Sequence, residues 1–223
     1  LEKKLKVKFK NKDLLTQAFT HRSYLNENPK FHLYHNERLE FLGDAVLELV
    51  VTEELFQKYP KKSEGELTNW RAALVNAKML TQVAQSIDFN SFLLLSRGEQ
   101  KELGKARQYI LANTFESFIG SLYLDQGYKP YQQFIKKHLL KELPKIIETQ
   151  SFKDAKSLFQ EQAQEKAGVT PTYKVLEESG PDHARHFVIG VFIEETLVAQ
   201  GSGLSKQEAQ EKAARAALEI KKW

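Results

Sequence analysis

The sequence has no cysteine, which excludes disulfide bonds and thiolate chemistry and is compatible with a reducing, cytoplasmic setting. It also lacks any apolar run of about 18 residues, the length that a membrane-spanning helix requires, and it has no signal-peptide core at its N-terminus. The 223 residues are 41% hydrophobic and 28% charged, as is typical of a soluble globular protein with one large or two medium domains. A net charge of +4 is compatible with a nucleic-acid partner and does not by itself require one.

Residues 35–51 predict a helix with several acidic side chains on one side. At about 100° per residue, four acids fall within an arc of about 80°: Glu37, Glu40, Asp44 and Glu48. Most of the remaining circumference is apolar, a pattern typical of a buried helix. Buried, clustered carboxylates are costly because desolvation and mutual repulsion both oppose ionisation, and a hard divalent cation would offset both. The alternative is a solvated acidic stripe with Arg38 as its local partner.

A second, mostly apolar helix is predicted over residues 106–125. It carries Asn113 and Glu116 three residues apart, and therefore on one face. Gly43 lies in the middle of the first helix, where glycine costs about 1 kcal/mol, so its presence indicates the close approach of another chain segment. Two such helices, each with oxygen donors on one face, are compatible with a Mg²⁺ site between them.

The nine residues Glu-Arg-Leu-Glu-Phe-Leu-Gly-Asp-Ala at 37–45 resemble the signature of the ribonuclease III family. The resemblance continues through residues 97–99 and 110–125 and through the C-terminal region, so it covers nearly the whole chain. It implies a homodimeric endoribonuclease that cuts both strands of double-stranded RNA and leaves 5′-phosphates and short 3′ overhangs. It further implies the processing of precursor ribosomal RNA and other structured RNAs, with Mg²⁺, or Mn²⁺ in its place, as the cofactor.

The resemblance also assigns roles to particular positions. The metal ligands that it implies are Glu40, Asp44, Asn113 and Glu116. Asp44 and Glu116 are also the catalytic pair, and Glu37 is an additional acid nearer the RNA. Glu64 has two possible roles. It could position RNA near the cleavage site, or it could only complement the dipole of its own helix. For Phe41, a contact with the second subunit is weighed against ordinary core packing.

Position 113 departs from the family pattern, in which an aspartate is usual. Asparagine keeps a carbonyl oxygen for coordination but removes one negative charge, so we expect weaker Mg²⁺ binding. Asn113 therefore leaves open a second function, that of a protein of the same fold that binds duplex RNA without cutting it. A third, a scaffold or ribosome-associated protein, predicts decay of the acidic cluster, which the intact Glu40, Asp44 and Glu116 oppose.

The first part of the chain has helical periodicity throughout, and we predict an all-α endonuclease domain over residues 1–149. Within it, a single helix is predicted over 13–24 and a glycine-punctuated basic loop over 97–107. A further helical region is predicted over 130–149, with an interruption at Pro144.

The periodicity changes after a short polar linker, which we place at 150–153. Two helical segments, at 154–167 and 205–222, flank three alternating or β-branched segments that predict strands, at 172–178, 183–193 and 197–203. This α-β-β-β-α order over residues 154–223 resembles a double-stranded RNA-binding domain. The chain is therefore expected to contain an all-α endonuclease domain followed by a small α+β domain.

A double-stranded RNA-binding domain spans two minor grooves and the phosphates between them. The resemblance assigns one minor groove to the first helix of this domain, through Gln160, Glu161 and Gln164, and the next groove to the loop at His183. It assigns the phosphates to the start of the last helix, at Ser205 and Lys206, because a helix N-terminus binds anions. The family usually has a second lysine where this chain has Gln207, and we expect Lys212 to compensate in part.

Overall fold

The computed structural model describes residues 1–150, 154–181 and 185–223. The chain divides into two compact units, Leu1–Phe152 and Lys153–Trp223. Most of the predicted linker at 150–153, and His183 with it, lie outside the described residues. Within the part of the chain that is described, no helix is both long and apolar enough to cross a membrane.

The first unit is helical, as predicted. Its helices are α1 Glu2–Leu5, α2 Lys12–Ala18, α3 Arg22–Glu27, α4 Glu37–Lys58, α5 Glu64–Val75, α6 Ala77–Ser86, α7 Arg97–Lys101, α8 Lys105–Gln126, α9 Tyr128–His138 and α10 Leu143–Glu148. Short 3₁₀ turns lie at Phe89–Phe92 and Leu140–Glu142. The long apolar helix α8 runs through the centre, and its Phe115 and Phe118 are fully buried among other aromatic side chains. The rest of the unit is built around this helix.

Helix α4 crosses α8 with the two backbones in direct contact. A Cβ atom placed on Gly43 would lie 1.8 Å from the carbonyl oxygen of Glu116, and one placed on Gly120 would lie 2.3 Å from that of Leu39. No side chain fits at either position, so the two glycines set the distance between the helices. The close approach that Gly43 indicated is therefore confirmed, and α8 is the segment that approaches.

Two local predictions were wrong, and a third was confirmed. The helix expected over 13–24 is two helices, because the chain between them pairs with Leu94: the Leu94 amide donates to Phe19, and the His21 amide donates to Leu94. The loop expected over 97–107 contains α7, whose C-terminal carbonyls accept hydrogen bonds from the Arg107 guanidinium. The helical region over 130–149 is interrupted as predicted, between the end of α9 at His138 and the start of α10 at Leu143. Pro144 lies in the first turn of α10, where its missing N–H would have no partner.

The second unit has the predicted α-β-β-β-α order. Its elements are α11 Ala155–Ala167, β1 Thr172–Ser179, β2 His186–Ile193, β3 Thr196–Gly203 and α12 Lys206–Lys221, with the strands antiparallel in the order β1-β2-β3. Helix α12 packs on the sheet at Gly201, where a Cβ atom would lie 2.2 Å from the backbone nitrogen of Ala213. Phe159 of α11 and Val191 of β2 complete the core beneath α12.

Candidate functional site

The crossing of α4 and α8 brings together the four positions predicted to bind metal. Glu40 and Asp44 lie one turn apart on α4. Asn113 and Glu116 lie about one turn apart on the side of α8 that faces α4. The Asn113 side chain donates a hydrogen bond to the Glu40 carboxylate. Asp44 and Glu40 both act electrostatically on Glu116. The sequence could suggest each pair, and the tertiary contact joins the pairs into one cluster.

The cluster is electrostatically strained. Burial, followed by repulsion from Asp44 and Glu40, raises the pKa of Glu116 to about 8. Burial also raises the pKa of Glu40, as do Glu37 and Asp44, while the hydrogen bond from Asn113 lowers it. Glu48, which the helical arc grouped with these acids, is exposed and is not among the groups that act on them. Of the four acids that the sequence placed on one arc of α4, three therefore belong to the cluster, namely Glu37, Glu40 and Asp44. The fourth acid of the cluster is Glu116 of α8.

The raised pKa of Glu116 predicts how the stability of the metal-free protein depends on pH. In the folded protein the carboxyl keeps its proton up to about pH 8, whereas in the unfolded chain it loses the proton above about 4.5. The free energy of unfolding should therefore fall as pH rises through this window, by up to about 1.4 kcal/mol per pH unit from this one group. The Glu116→Gln variant should lose this dependence, which thermal unfolding without metal from pH 5 to 9 will measure. A difference between the two proteins that stays constant over this range would contradict the raised pKa.

The donor atoms of the cluster suit a hard cation. The described residues contain no group of three or more His, Cys, Asp or Glu side chains that could hold a metal ion as arranged. Mg²⁺, however, is commonly bound by one or two carboxylates, with water and substrate phosphate completing its octahedral shell. Asp44 and Glu116 offer such a pair, and a divalent charge would offset both the burial and the repulsion that raise the pKa of Glu116. The residues present therefore fit Mg²⁺ as an ion held by few protein ligands.

Glu37 stands at the start of α4 beside two basic side chains. Its carboxylate lies 3.7 Å from Arg22 and 3.8 Å from His35. His21 has a structural role, since its Nδ1 atom accepts a hydrogen bond from the Ser23 amide and begins α3. Glu37, like Asp44, is thus an acid of the cluster that is open to solvent and to a polyanionic ligand.

The structure does not bring Glu64 to the acid cluster of its own chain. Glu64 begins α5, accepts a hydrogen bond from Thr68, and lines a groove of about 480 Å³ with Thr52 and Phe56 of α4. At about 1.5 Å per residue, Thr52 lies about 12 Å further along α4 than Asp44. A role for Glu64 at a cleavage site would therefore need a second chain.

Helix α4 is not buried all round, as its apolar sequence suggested. Phe41, Leu49 and Phe56 are 83%, 56% and 72% exposed and form one stripe along the helix. Core packing of Phe41 within the chain is thereby excluded. Sequence reasoning missed Leu49 and Phe56 because apolar residues surround the whole helix. Only their spacing from Phe41, by two and four turns, could have indicated a shared face.

The predicted RNA-binding positions of the second unit fall on two surfaces. Gln160, Glu161 and Gln164 line one side of α11. At the start of α12, the Ser205 hydroxyl accepts a hydrogen bond from the Glu208 amide, and the Lys206 ammonium lies 5.5 Å from the centre of the Phe187 ring. Lys212 pairs with Glu208 at 2.8 Å, so the expectation that it substitutes for a lysine at Gln207 receives no support.

Two family models match the chain. The model described as Ribonuclease-III-like matches residues 11–143, and the model described as Double-stranded RNA binding motif matches residues 155–221. A curated relative named Ribonuclease 3 from Nitratiruptor sp. is 43% identical, and the match covers 99% of this chain and 95% of that protein. Another, from Bacillus cytotoxicus, is 47% identical, with 97% of this chain and 88% of that protein covered.

A solved structure resembles the first unit. It is the nuclease domain of ribonuclease III from Campylobacter jejuni, which is 41% identical to this chain with a TM-score of 0.58. The match covers 64% of this chain and 96% of that one. The Campylobacter domain shows structural flexibility in a region involved in dimer formation.

Proposed function

The chain belongs to the ribonuclease III family, and from this premise we propose that it hydrolyses phosphodiester bonds on both strands of double-stranded RNA with the help of Mg²⁺. The second unit, which matches a double-stranded RNA binding motif, holds the duplex through α11 and the start of α12. The products carry 5′-phosphates and short 3′ overhangs. The substrates are precursor ribosomal RNA and other structured RNAs, and the protein acts in the cytoplasm.

The observation that carries this proposal is the set of coupled acids at the α4–α8 crossing, among which Glu40 and Glu116 are partly buried. Asp44 and Glu116 would hold Mg²⁺, with Glu40 and Asn113 beside them. The ion, when bound, would polarise the scissile phosphate and favour attack by water. The protein keeps the spacing of the carboxylates constant by fixing both helices at Gly43 and Gly120. Glu37, which is exposed at the start of α4, borders the path of the RNA.

The exposed stripe on α4 supports a homodimer. A protruding Phe41 and an apolar groove around Phe56 lie on the same side of one helix, one near each end. A two-fold interface uses the same surface of both protomers, so if Phe41 of one protomer fills the groove of the other, the reverse contact also forms. Both contacts can form only if the two α4 helices run antiparallel. The midpoint between the two residues places the axis near Leu49, which is itself exposed. The dimer thus covers the whole stripe.

The same dimer would bring Glu64 of one protomer close to the acid cluster of the other. In an antiparallel two-fold pair, each side of one α4 lies beside the same side of the other. Asp44 and Leu55 point within about 20° of each other around the α4 axis, since a separation of 11 residues is slightly more than three turns. Leu55 lines the groove together with Glu64. The partner's copy of Glu64 therefore comes to the end of the helix where the acid cluster lies, and there it positions the RNA.

Cleavage of a long RNA duplex tests the activity. The wild-type protein should cut it only with Mg²⁺ present, and Glu116→Gln should slow cutting by about 10³-fold or more, because the stabilisation that a metal gives to the transition state is worth several kcal/mol. Glu48→Gln removes an acid of the same helix outside the cluster and should cut at the wild-type rate. Both variants should keep their affinity for duplex RNA without metal.

Binding without cutting would favour the second function, a duplex-binding protein, and Asn113 is the residue that supports it. In that case cleavage should appear in Asn113→Asp and nowhere else. Equal rates of cutting by the wild-type protein and Glu116→Gln would contradict the proposed site, even though the chain would still be a nuclease.

Replacement of Phe41 tests the dimer. Phe41→Asp should raise the dissociation constant of the dimer by about 100-fold or more, because an aromatic side chain that fills a groove of the partner is lost twice, once in each protomer. Sedimentation at micromolar concentration should then show monomers. Tyr34→Asp, at a tyrosine that is 79% exposed and lies outside α4, is the matched control and should stay dimeric. A Phe41→Asp protein that remains a dimer of unchanged affinity would exclude this interface.

A further inference from the structure

Arg71 is a basic side chain whose position the proposed function leaves unexplained. It lies on α5 and lines the same groove as Glu64, two turns away along one face of the helix. One guanidinium nitrogen donates a 3.1 Å hydrogen bond to the Thr52 hydroxyl of α4. Among residues 1–150, 154–181 and 185–223, no carboxylate forms an ion pair with Arg71. The hydroxyl fixes one arm of the guanidinium, and the other donors are left for a ligand.

The place of Arg71 in a dimer follows from its hydrogen bond to Thr52 of α4. Thr52 lies close to the exposed stripe and to Leu55, on the side of α4 that carries Asp44 at the other end. Across the antiparallel two-fold pair proposed above, residues of the two α4 helices whose numbers add up to about 97 face each other. Thr52 therefore faces position 45 of the partner, which directly follows the partner's Asp44. Arg71, bonded to Thr52, is brought to the same point.

A cation next to the acid cluster would favour the binding of RNA there. An acid cluster repels the RNA phosphates that must reach it, and Mg²⁺ held by few protein ligands offsets only part of that charge. A guanidinium presents several N–H groups in a planar fork that matches a phosphate, and it stays charged at every relevant pH. In one chain, Arg22, His35 and His21 are basic groups next to the cluster, and each of them interacts with Glu37.

We propose that Arg71 of one protomer binds the backbone phosphate of the RNA strand that is cut at the acid cluster of the other protomer. The inference rests on the proposed nuclease activity and on the two-fold pairing of α4. It makes each cleavage centre a joint structure, with the acids from one chain and Arg71 from its partner. A dimer is then required for chemistry as well as for stability.

Mixed dimers with differently tagged chains test the proposal. In the first, one chain carries Glu116→Gln and the other Arg71→Ala. Its intact acid cluster faces a partner that still has Arg71, so it should nick one strand at the rate of a dimer of wild-type and Glu116→Gln chains. In the second, one chain is wild type and the other carries both substitutions. Its intact cluster faces the partner's alanine, and nicking should be about 10- to 100-fold slower, the usual effect of losing a charged hydrogen bond.

Two further proteins complete the test. Arg71→Lys keeps the positive charge but not the planar arrangement of N–H donors, and it should restore part of the nicking rate. Lys78→Ala removes an exposed lysine of α6 and should leave the nicking rate unchanged. Equal rates in the two mixed dimers would overturn the proposal, as would the reverse order, which places Arg71 at the cluster of its own chain. A weaker dimer with an unchanged nicking rate would also overturn it, because Arg71 would then pair with a carboxylate of the partner.

The failure of the proposed function would look different. A dimer of wild-type and Glu116→Gln chains that does not nick RNA would contradict the nuclease, and chains that do not associate would contradict the dimer. Either result appears in the reference dimer, before Arg71 is changed.

Discussion

Replacement of Gly43 by alanine is expected to destabilise the nuclease unit by about 3 kcal/mol or more and to abolish cleavage. The added Cβ would lie 1.8 Å from the carbonyl oxygen of Glu116 and 2.4 Å from its carbonyl carbon. Both are backbone atoms, so no side chain can turn away and the helices must separate, which makes this a severe case of overpacking. The separation also moves Asp44 away from Glu116. Thermal unfolding should show a loss of about 8 °C, and the cleavage assay should show the loss of activity.

Gly65 provides the matched control. It also lies in a helix, but a Cβ atom there would meet nothing within 4 Å. Gly65→Ala should therefore be neutral or more stable by up to about 1 kcal/mol, because alanine reduces the entropy of the unfolded chain. A Gly43→Ala protein as stable and as active as Gly65→Ala would show that α4 and α8 do not touch through their backbones.

Replacement of Asn113 by aspartate is expected to shift stability and metal affinity in opposite directions. The amide donates a hydrogen bond to Glu40, and an aspartate would replace that bond with repulsion beside Glu40 and Glu116. Two like charges about 4 Å apart repel by about 4 kcal/mol at an effective dielectric of 20. We therefore expect the metal-free variant to unfold at a lower temperature and to bind Mg²⁺ at least tenfold more tightly. Thermal unfolding without metal and calorimetric titration with Mg²⁺ measure the two effects.

Asn90→Asp adds the same charge at an exposed position outside the cluster and should change neither quantity by more than the error. An Asn113→Asp protein with the Mg²⁺ affinity of wild type would mean that position 113 is no ligand. If the variant lost no stability without metal, the hydrogen bond between Asn113 and Glu40 would have no energetic weight. The two measurements thus judge ligation and local stabilisation separately.

Much of the fold and of the site followed from the sequence, because it depends on neighbours along the chain. The helical period alone placed Glu37, Glu40 and Asp44 on one side of α4, and alternation with β-branched residues marked the three strands. The same local rules failed where distant segments intervene. Hydrogen bonds to Leu94 divide the helix expected over 13–24, and the Arg107 side chain caps the short helix α7 in the expected loop.

The contacts between helices were beyond the reach of any pattern in the chain. The sequence indicated that Gly43 would meet another segment, and only the tertiary structure shows that this segment is the backbone of Glu116. That contact buries Glu116 next to Asp44 and raises its pKa to about 8, while Glu48, on the same helical arc, remains in solvent. Local geometry thus determined which acids could act together. Packing decided which of them do, because desolvation and repulsion depend on what α8 covers.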